Sequence, residues 1–138
     1  MHLLVPMDES EPARAALEHA LETFPDATIT VLHVVDPSMA MYGGDTAYNV
    51  ERTLEIEEER AETLFERARE LAGEHDVTVT TETIGGPAAR SIVEFADEHD
   101  VDGIIIGSHG RSGVSRVLLG SVAERVVRRA TPPVTVVS

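Results

Sequence analysis

The sequence predicts an α/β protein with an open, doubly wound, five-stranded parallel sheet and helices on both faces. Three observations carry that expectation. Short aliphatic, β-branched runs alternate along the chain with amphipathic helical patterns, the order that builds a parallel sheet from crossover units. Five such runs are too few for an eight-stranded barrel. A length of 138 residues suits one ordinary domain, so residues 1–138 are expected to share a single core.

Each element has its own signal. His2–Pro6 is a short apolar run ending in Pro, as expected of a buried first strand. Ser10 or Asp8 can cap a helix over Glu11–Thr23, which puts Ala13, Ala16, Leu17, Ala20 and Leu21 on one face. Ala27–Val35, rich in β-branched residues, reads as the second strand. Asp36–Asn49 contains Pro37, Gly43 and Gly44 and reads as a loop. Val50–Gly73 then forms a long helix, with Leu54, Ala61, Leu64, Phe65, Ala68 and Leu71 inward and Glu and Arg three and four apart outside. Val77–Ile84 is the third strand, and Gly85-Gly86-Pro87 turns the chain so that Pro87 opens a helix through His99. Gly103–Ile106 is a short, wholly apolar fourth strand. After a glycine-rich loop, Ser121–Ala130 is the last helix and Pro133–Val137 the fifth strand. The whole is Rossmann-like in outline.

Composition narrows the chemistry. The absence of cysteine removes disulfides, thiolate metal sites and a cysteine nucleophile. All eleven basic residues are Arg, so there is no Schiff-base lysine and no Walker lysine. The net charge of −14, with Lys absent, suggests a halophilic protein adapted to a salt-rich cytoplasm. Such a surface repels phosphate backbones, and with aromatics at 4% few rings can stack bases, so no nucleic-acid partner is expected. The N-terminal residues lack a signal-peptide pattern, and no run reaches the roughly 18 apolar residues of a membrane span, so a cytoplasmic protein with no membrane partner is expected.

The charge is uneven. Residues 1–100 hold six Arg and twenty-three Asp or Glu, a net −17, whereas residues 101–138 hold five Arg and two acids, a net +3. The mildly basic segment is either a buried or interfacial region or an anion site. In a doubly wound sheet, ligands bind beyond the carboxyl ends of the strands. That rim carries Pro6–Asp8, Val34–Asp36, Gly85-Gly86 and Gly107–Gly113. The last opens the stretch Gly107-Ser-His-Gly110-Arg-Ser-Gly113-Val-Ser-Arg116-Val-Leu-Leu-Gly120-Ser121, which runs from a buried strand to a helix N-terminus. Its glycines permit positive φ and close approach of backbone N–H groups to an anion. Helix amides near Ser121 add attraction of roughly 0.3–1 kcal/mol. Ser108, Ser112 and Ser121 supply hydroxyls, and Arg111 and Arg116 supply charge. These are the parts of a phosphate cradle without lysine.

The spacing Gly107-x2-Gly110-x9-Gly120-Ser121 resembles the nucleotide-binding signature of the ATP-binding universal stress proteins. The opening Leu4-Val5-Pro6-Met7-Asp8-Glu9-Ser10, the strand end Leu32-His33-Val34-Val35-Asp36 and the closing Pro132-Pro133-Val134-Thr135-Val136-Val137 are similar to that family too. By position, the resemblance implies that Asp8 and the Val34 backbone hold adenosine, with Pro6 lining the same pocket. It implies that Gly107, Ser108, His109, Gly110, Arg111, Ser112 and Gly113 wrap the ribose and phosphates. Gly120 then leads into Ser121, Val122 and Ala123, which close the phosphate site. It also implies ATP, Mg²⁺ carried by the phosphate oxygens without a dedicated metal site, a role in stress survival, and a homodimer. The dimer would pair the short apolar strand at 134–137 with its copy.

Other readings stand beside these. The chain has no Gly-x-Gly-x-x-Gly after the first strand, no Gly-Lys-Ser/Thr and no His-x-Gly-His. Asp8 can hold adenosine, or cap the first helix with Glu11 completing a capping box, or do both. His109 reads as a solvated loop residue, since spacing implies no Ser or Asp partner. His33 reads as a packed histidine, Arg125, Arg128 and Arg129 as helix C-terminal charges, and the glutamates of 51–74 as a hydrated face. No catalytic set is visible. The leading expectation is a nucleotide-dependent sensor or regulator, non-enzymatic or slowly hydrolysing. The alternatives are an ATPase or transferase using the same pocket, and a nucleotide-independent interaction module.

Overall fold

The computed structural model describes residues 1–36, 47–109 and 119–138, with the backbone alone at 47–51, 53 and 54. Strand β1 (His2–Pro6) leads into helix α1 (Glu11–Thr23), whose cap is Ser10: its Oγ accepts the Ala13 amide at 3.3 Å, with Pro12 in the first turn. Satisfying an orphan first-turn donor starts the helix there. The five apolar positions expected on its inner face are the five it buries. Strand β2 (Thr28–Val35) follows, then α2 (Ala47–Glu74), β3 (Val79–Gly85), α3 (Ala88–Glu98), β4 (Gly103–Gly107), α4 (Ser121–Arg129) and β5 (Val134–Val137).

Several boundaries differ from the sequence reading. Helix α2 begins at Ala47, so residues 47–49, expected in the loop, are helical, and Leu54 has no described side chain. Strand β3 starts two residues later than expected and runs one further, because its register on β2 extends to Val35↔Gly85. Pro87 stands outside α3 as its N-cap, in extended backbone (φ −61°, ψ 128°). Residues Ala130 and Pro133 fall just outside α4 and β5.

The sheet is parallel with strand order β3-β2-β1-β4-β5. Helices α1 and α2 cover one face and α3 and α4 the other, because strand side chains alternate between faces. Leu3, Val5, Ile29, Val31 and Ile105 pack with α1 and α2. Leu4, Leu32, Ile104 and Ile106 pack with α3 and α4. Leu4, Leu17, Leu21, Ile29 and Leu32 are among the largest fully buried side chains. Truncating any one to Ala costs roughly 2–5 kcal/mol. At the N-terminal end of the sheet, the His2 amide donates to Asp102 and its ring meets Thr30 Oγ1, both at 2.7 Å. Among the described residues, no helix is long and apolar enough to cross a membrane.

Candidate functional site

Strand order reverses between β1 and β4: β1 sends its chain to α1 on one face, and β4 sends its chain towards α4 on the other. The divergence leaves a crevice over the end of β1. Pro6 and Met7, where β1 ends, are buried. The two walls follow from strand alternation. The Leu32 carbonyl accepts the Met7 amide at 2.8 Å, so Leu32 directs its backbone towards β1. Val34, two residues on, directs its N–H and C=O the same way, past the end of β1. On the other side, Ile104 and Ser108 donate to Pro133 and Val137, towards β5. Gly107 between them therefore points its backbone groups back towards β1. Backbone polar groups of Val34 and Gly107 thus flank one opening.

Asp8 lies at its edge, half-buried. Its Oδ1 accepts the Ser10 amide at 2.8 Å, an Asx turn that sets the path from β1 into α1. Of the two candidate caps, Ser10 takes the position, so the alternative capping box of Asp8 with Glu11 does not form. The three residues between strand and cap, Met7, Asp8 and Glu9, leave Asp8 at the rim.

Ser108 is buried, and its Oγ lies 3.1 Å from His109 Nδ1. That contact corrects the expectation that His109 has no serine partner. Spacing missed it because the two residues are neighbours held by the strand end. Across the loop, the Gly120 amide donates to the Ser108 carbonyl at 2.6 Å. Gly120 is the N-cap of α4 and contributes no side chain, and the first intrahelical bond runs from Glu124 N to the Gly120 carbonyl. The amides of Ser121, Val122 and Ala123 therefore lie in the first turn, without intrahelical acceptors. They carry the positive end of the helix dipole. Ser121 and Val122 are exposed, whereas the Ala123 side chain is in the core, so only its amide can serve an anion.

The structure changes the reason for two glycines. Neither Gly107 nor Gly120 has a positive φ. A Cβ at Gly107 would stand 2.7 Å from Ala13 N and Pro12 C, so the N-terminus of α1 sits directly on the end of β4. Close approach, not left-handed backbone, requires them. Gly110, Arg111, Ser112, Gly113 and Arg116 lie outside the described residues.

His33 is where sequence reading saw least. It is packed, as expected, in line with Ile29 and Val31 on the face covered by α2. Yet its Nδ1 is 3.3 Å from the Met7 carbonyl and its Nε2 is 3.7 Å from Glu57 Oε2. Glu57 is thus set apart from the hydrated face expected of its helix, with Oε1 held by Arg60 at 3.1 Å. Strand alternation predicts which face His33 takes, while the partner on α2 needs the fold. Arg128 pairs with Glu124 at 2.8 Å, consistent with its reading as a helix charge.

The comparisons with known proteins match this geometry. The model of the universal stress protein family matches residues 1–138. A universal stress protein of Methanocaldococcus jannaschii is 35% identical over 137 residues, covering 98% of this chain and 80% of its own. A second universal stress protein of that organism has a solved structure with a TM-score of 0.83 at 32% identity, covering 99% of this chain and 94% of the other. The universal stress protein of Lactobacillus plantarum has a TM-score of 0.87 at 27% identity, covering 100% and 97%. At lower identity, where likeness shows the fold alone, the Archaeoglobus fulgidus protein was solved with dAMP (23%, TM-score 0.70, covering 100% and 98%). An Arabidopsis thaliana family protein was solved with AMP (18%, TM-score 0.71, covering 99% and 90%). A match to the family model from the first residue to the last, and relatives above 30% identity over nearly all of the sequence, agree with the five-stranded sheet and its order: the chain belongs to the universal stress protein family.

Proposed function

We propose that the crevice between β1 and β4 binds an adenine nucleotide, ATP by preference, and that occupancy makes the protein a nucleotide-dependent regulator. The observation that carries this reading is the uncapped N-terminus of α4. Three first-turn amides there lie beside a loop end drawn in by Gly120, across from the backbone groups of Val34 and Gly107. Anions gain roughly 0.3–1 kcal/mol at such a terminus, and the adjoining backbone donors and acceptors suit a purine edge. The nucleotides held by family members of the same fold support the choice of ligand.

Pro6, Asp8 and Val34 would take the adenosine end. Gly107, Ser108 and His109, with Gly110–Gly113, would wrap the ribose and phosphates. Gly120, Ser121, Val122 and Ala123 would close on the phosphates. Among the described residues, no group of three or more His, Asp or Glu could hold a metal. Mg²⁺ would therefore arrive on the phosphate oxygens and neutralise part of their charge. In a cytoplasm rich in salt, screening over about 3 Å at 1 M leaves directional hydrogen bonds as the source of affinity.

A second reading is slow hydrolysis, favoured by the Ser108–His109 contact, which supplies an imidazole near the phosphate end. The two are separated by purifying the protein in high salt with Mg²⁺, denaturing it, and identifying released nucleotide by chromatography. Near-stoichiometric ATP supports binding without turnover, and ADP supports hydrolysis. An empty protein that also refuses added ATP sinks both and leaves an interaction module. A homodimer through the edge strand β5 fits the regulatory reading, since Ser108 bonds directly to Val137 at the end of that strand.

A further inference from the structure

The imidazole of His33 is the one polar side chain, among the described residues, with a buried nitrogen lacking a hydrogen-bond partner, and that nitrogen is Nε2. A carbonyl only accepts, so the contact with Met7 O requires Nδ1 to carry its proton. Nε2 then faces Glu57 Oε2 across 3.7 Å, ion-pair distance but too long for a direct hydrogen bond. The side chains of His33 and Glu57 retain only 12% and 19% of their exposure, so this is an interior contact.

Its place in the fold gives it a task. Both polar groups of Met7 are held by consecutive residues of β2: its amide by the Leu32 carbonyl and its carbonyl by the His33 ring. Met7 is where β1 leaves the sheet, one residue before Asp8. Val34, one residue after His33, is where the β2 backbone opens onto the crevice. The ring of His33 therefore sets the separation between the two chain segments that would hold adenosine. With Nε2 protonated as well, the ring is an imidazolium that Glu57 holds by charge, and Glu57 is itself held by Arg60, which ties the setting to α2.

We infer that His33 is a positioning residue for the adenosine end of the site, oriented by Glu57, so that the seating of helix α2 governs affinity for the nucleoside but not for phosphate. This rests on the nucleotide-binding reading above. The two arms of the ring can be removed separately. In His33→Asn the side-chain amide stands near Nδ1 and keeps a donor for Met7, losing Glu57. In His33→Gln the amide reaches towards Glu57 and loses Met7.

The test is calorimetric titration in molar salt of the wild type, His33→Asn, His33→Gln, His33→Ala and Glu57→Gln with adenosine, ATP and inorganic tripolyphosphate. His33→Ala and His33→Gln are expected to weaken adenosine and ATP alike by about tenfold, or about 1.4 kcal/mol, with tripolyphosphate unchanged. His33→Asn is expected to recover most of that loss, and Glu57→Gln to show a smaller loss confined to the nucleoside. Equal adenosine affinity in the Asn and Gln variants overturns the inference, and that pair decides it even if His33→Ala fails to fold. A parallel loss of tripolyphosphate binding also overturns it, since that marks general damage. Wild-type protein that binds ATP while every His33 variant matches it removes this inference alone. Wild-type protein that binds neither adenosine nor ATP removes the functional reading with it.

Discussion

The Gly120 amide and the Ser108 carbonyl are joined by a 2.6 Å hydrogen bond, which brings the end of β4 and the start of α4 together across the loop between them. A Cβ at position 120 would stand 2.9 Å from His109 Cα and 3.1 Å from the Ser108 carbonyl oxygen. Those are backbone atoms, and they cannot swing aside as the tip of a long side chain can. In Gly120→Val the two ends must part, carrying the first-turn amides of α4 away from the crevice. ATP affinity is expected to fall at least about tenfold, equivalent to about 1.4 kcal/mol. Thermal unfolding with and without nucleotide checks it: the wild type at 100 times its Kd should gain about 2.7 kcal/mol, and the variant much less. Wild-type affinity in a folded Gly120→Val would show that loop closure is irrelevant to binding.

Gly107 sits under the N-terminus of α1, and the clash there is with Pro12 and Ala13 backbone. Gly107→Ala should destabilise the fold by about 1–3 kcal/mol through overpacking. The denaturant midpoint in molar salt reports it. An unchanged midpoint would mean that α1 shifts away without cost.

Asp76 and Asp100 adopt left-handed backbone, φ 57° and 50°, after the last turns of α2 and α3. In each case the following Val amide returns to a helix carbonyl, Val77 to Ala72 and Val101 to Ala96, both at 3.0 Å. Such ends favour Gly, because a side chain at positive φ crowds the following carbonyl. Asp100→Gly is expected to raise stability by about 0.5–1 kcal/mol, the relief of strain less the added entropy of the unfolded chain. A lowered midpoint would show that the carboxylate makes a local bond worth more than the strain.

Among the described residues, strand β5 is paired on one side only, by β4, and Val136 on it is exposed. A charge placed there should block pairing between edges. Val136→Glu is expected to sediment as a monomer in molar salt while the wild type sediments as a dimer. Identical species for both would remove β5 as the contact.

Much of the fold was legible because its causes are local. The span of α1 follows from a serine cap and apolar residues three and four apart, and its observed ends agree with that spacing. The errors fall where a local signal is weak or overruled: α2 starts before Val50, and β3 is trimmed and extended by its register on β2. The site was legible in part. The rim residues were recognisable as Gly, Pro and Asp at strand ends. Yet only the fold shows that, of the two candidate caps, Ser10 caps α1 while Asp8 shapes the turn before it, and that His109 meets the Ser108 hydroxyl.

The sequence by itself determined the alternation of strands and helices, the acidic and lysine-free surface, the placing of a glycine-rich loop before the last helix, and the family. Periodicity, capping chemistry and charge act over a few residues, so they can be read without coordinates. Only the tertiary structure decided that β1 and β4 are neighbours, that Val34 and Gly107 turn their backbones to one crevice, and that His33 joins Met7 to Glu57. Those relations join residues 24 to 100 positions apart in the chain, where strand order and the packing of α2 on the sheet set the distances. No local spacing encodes them.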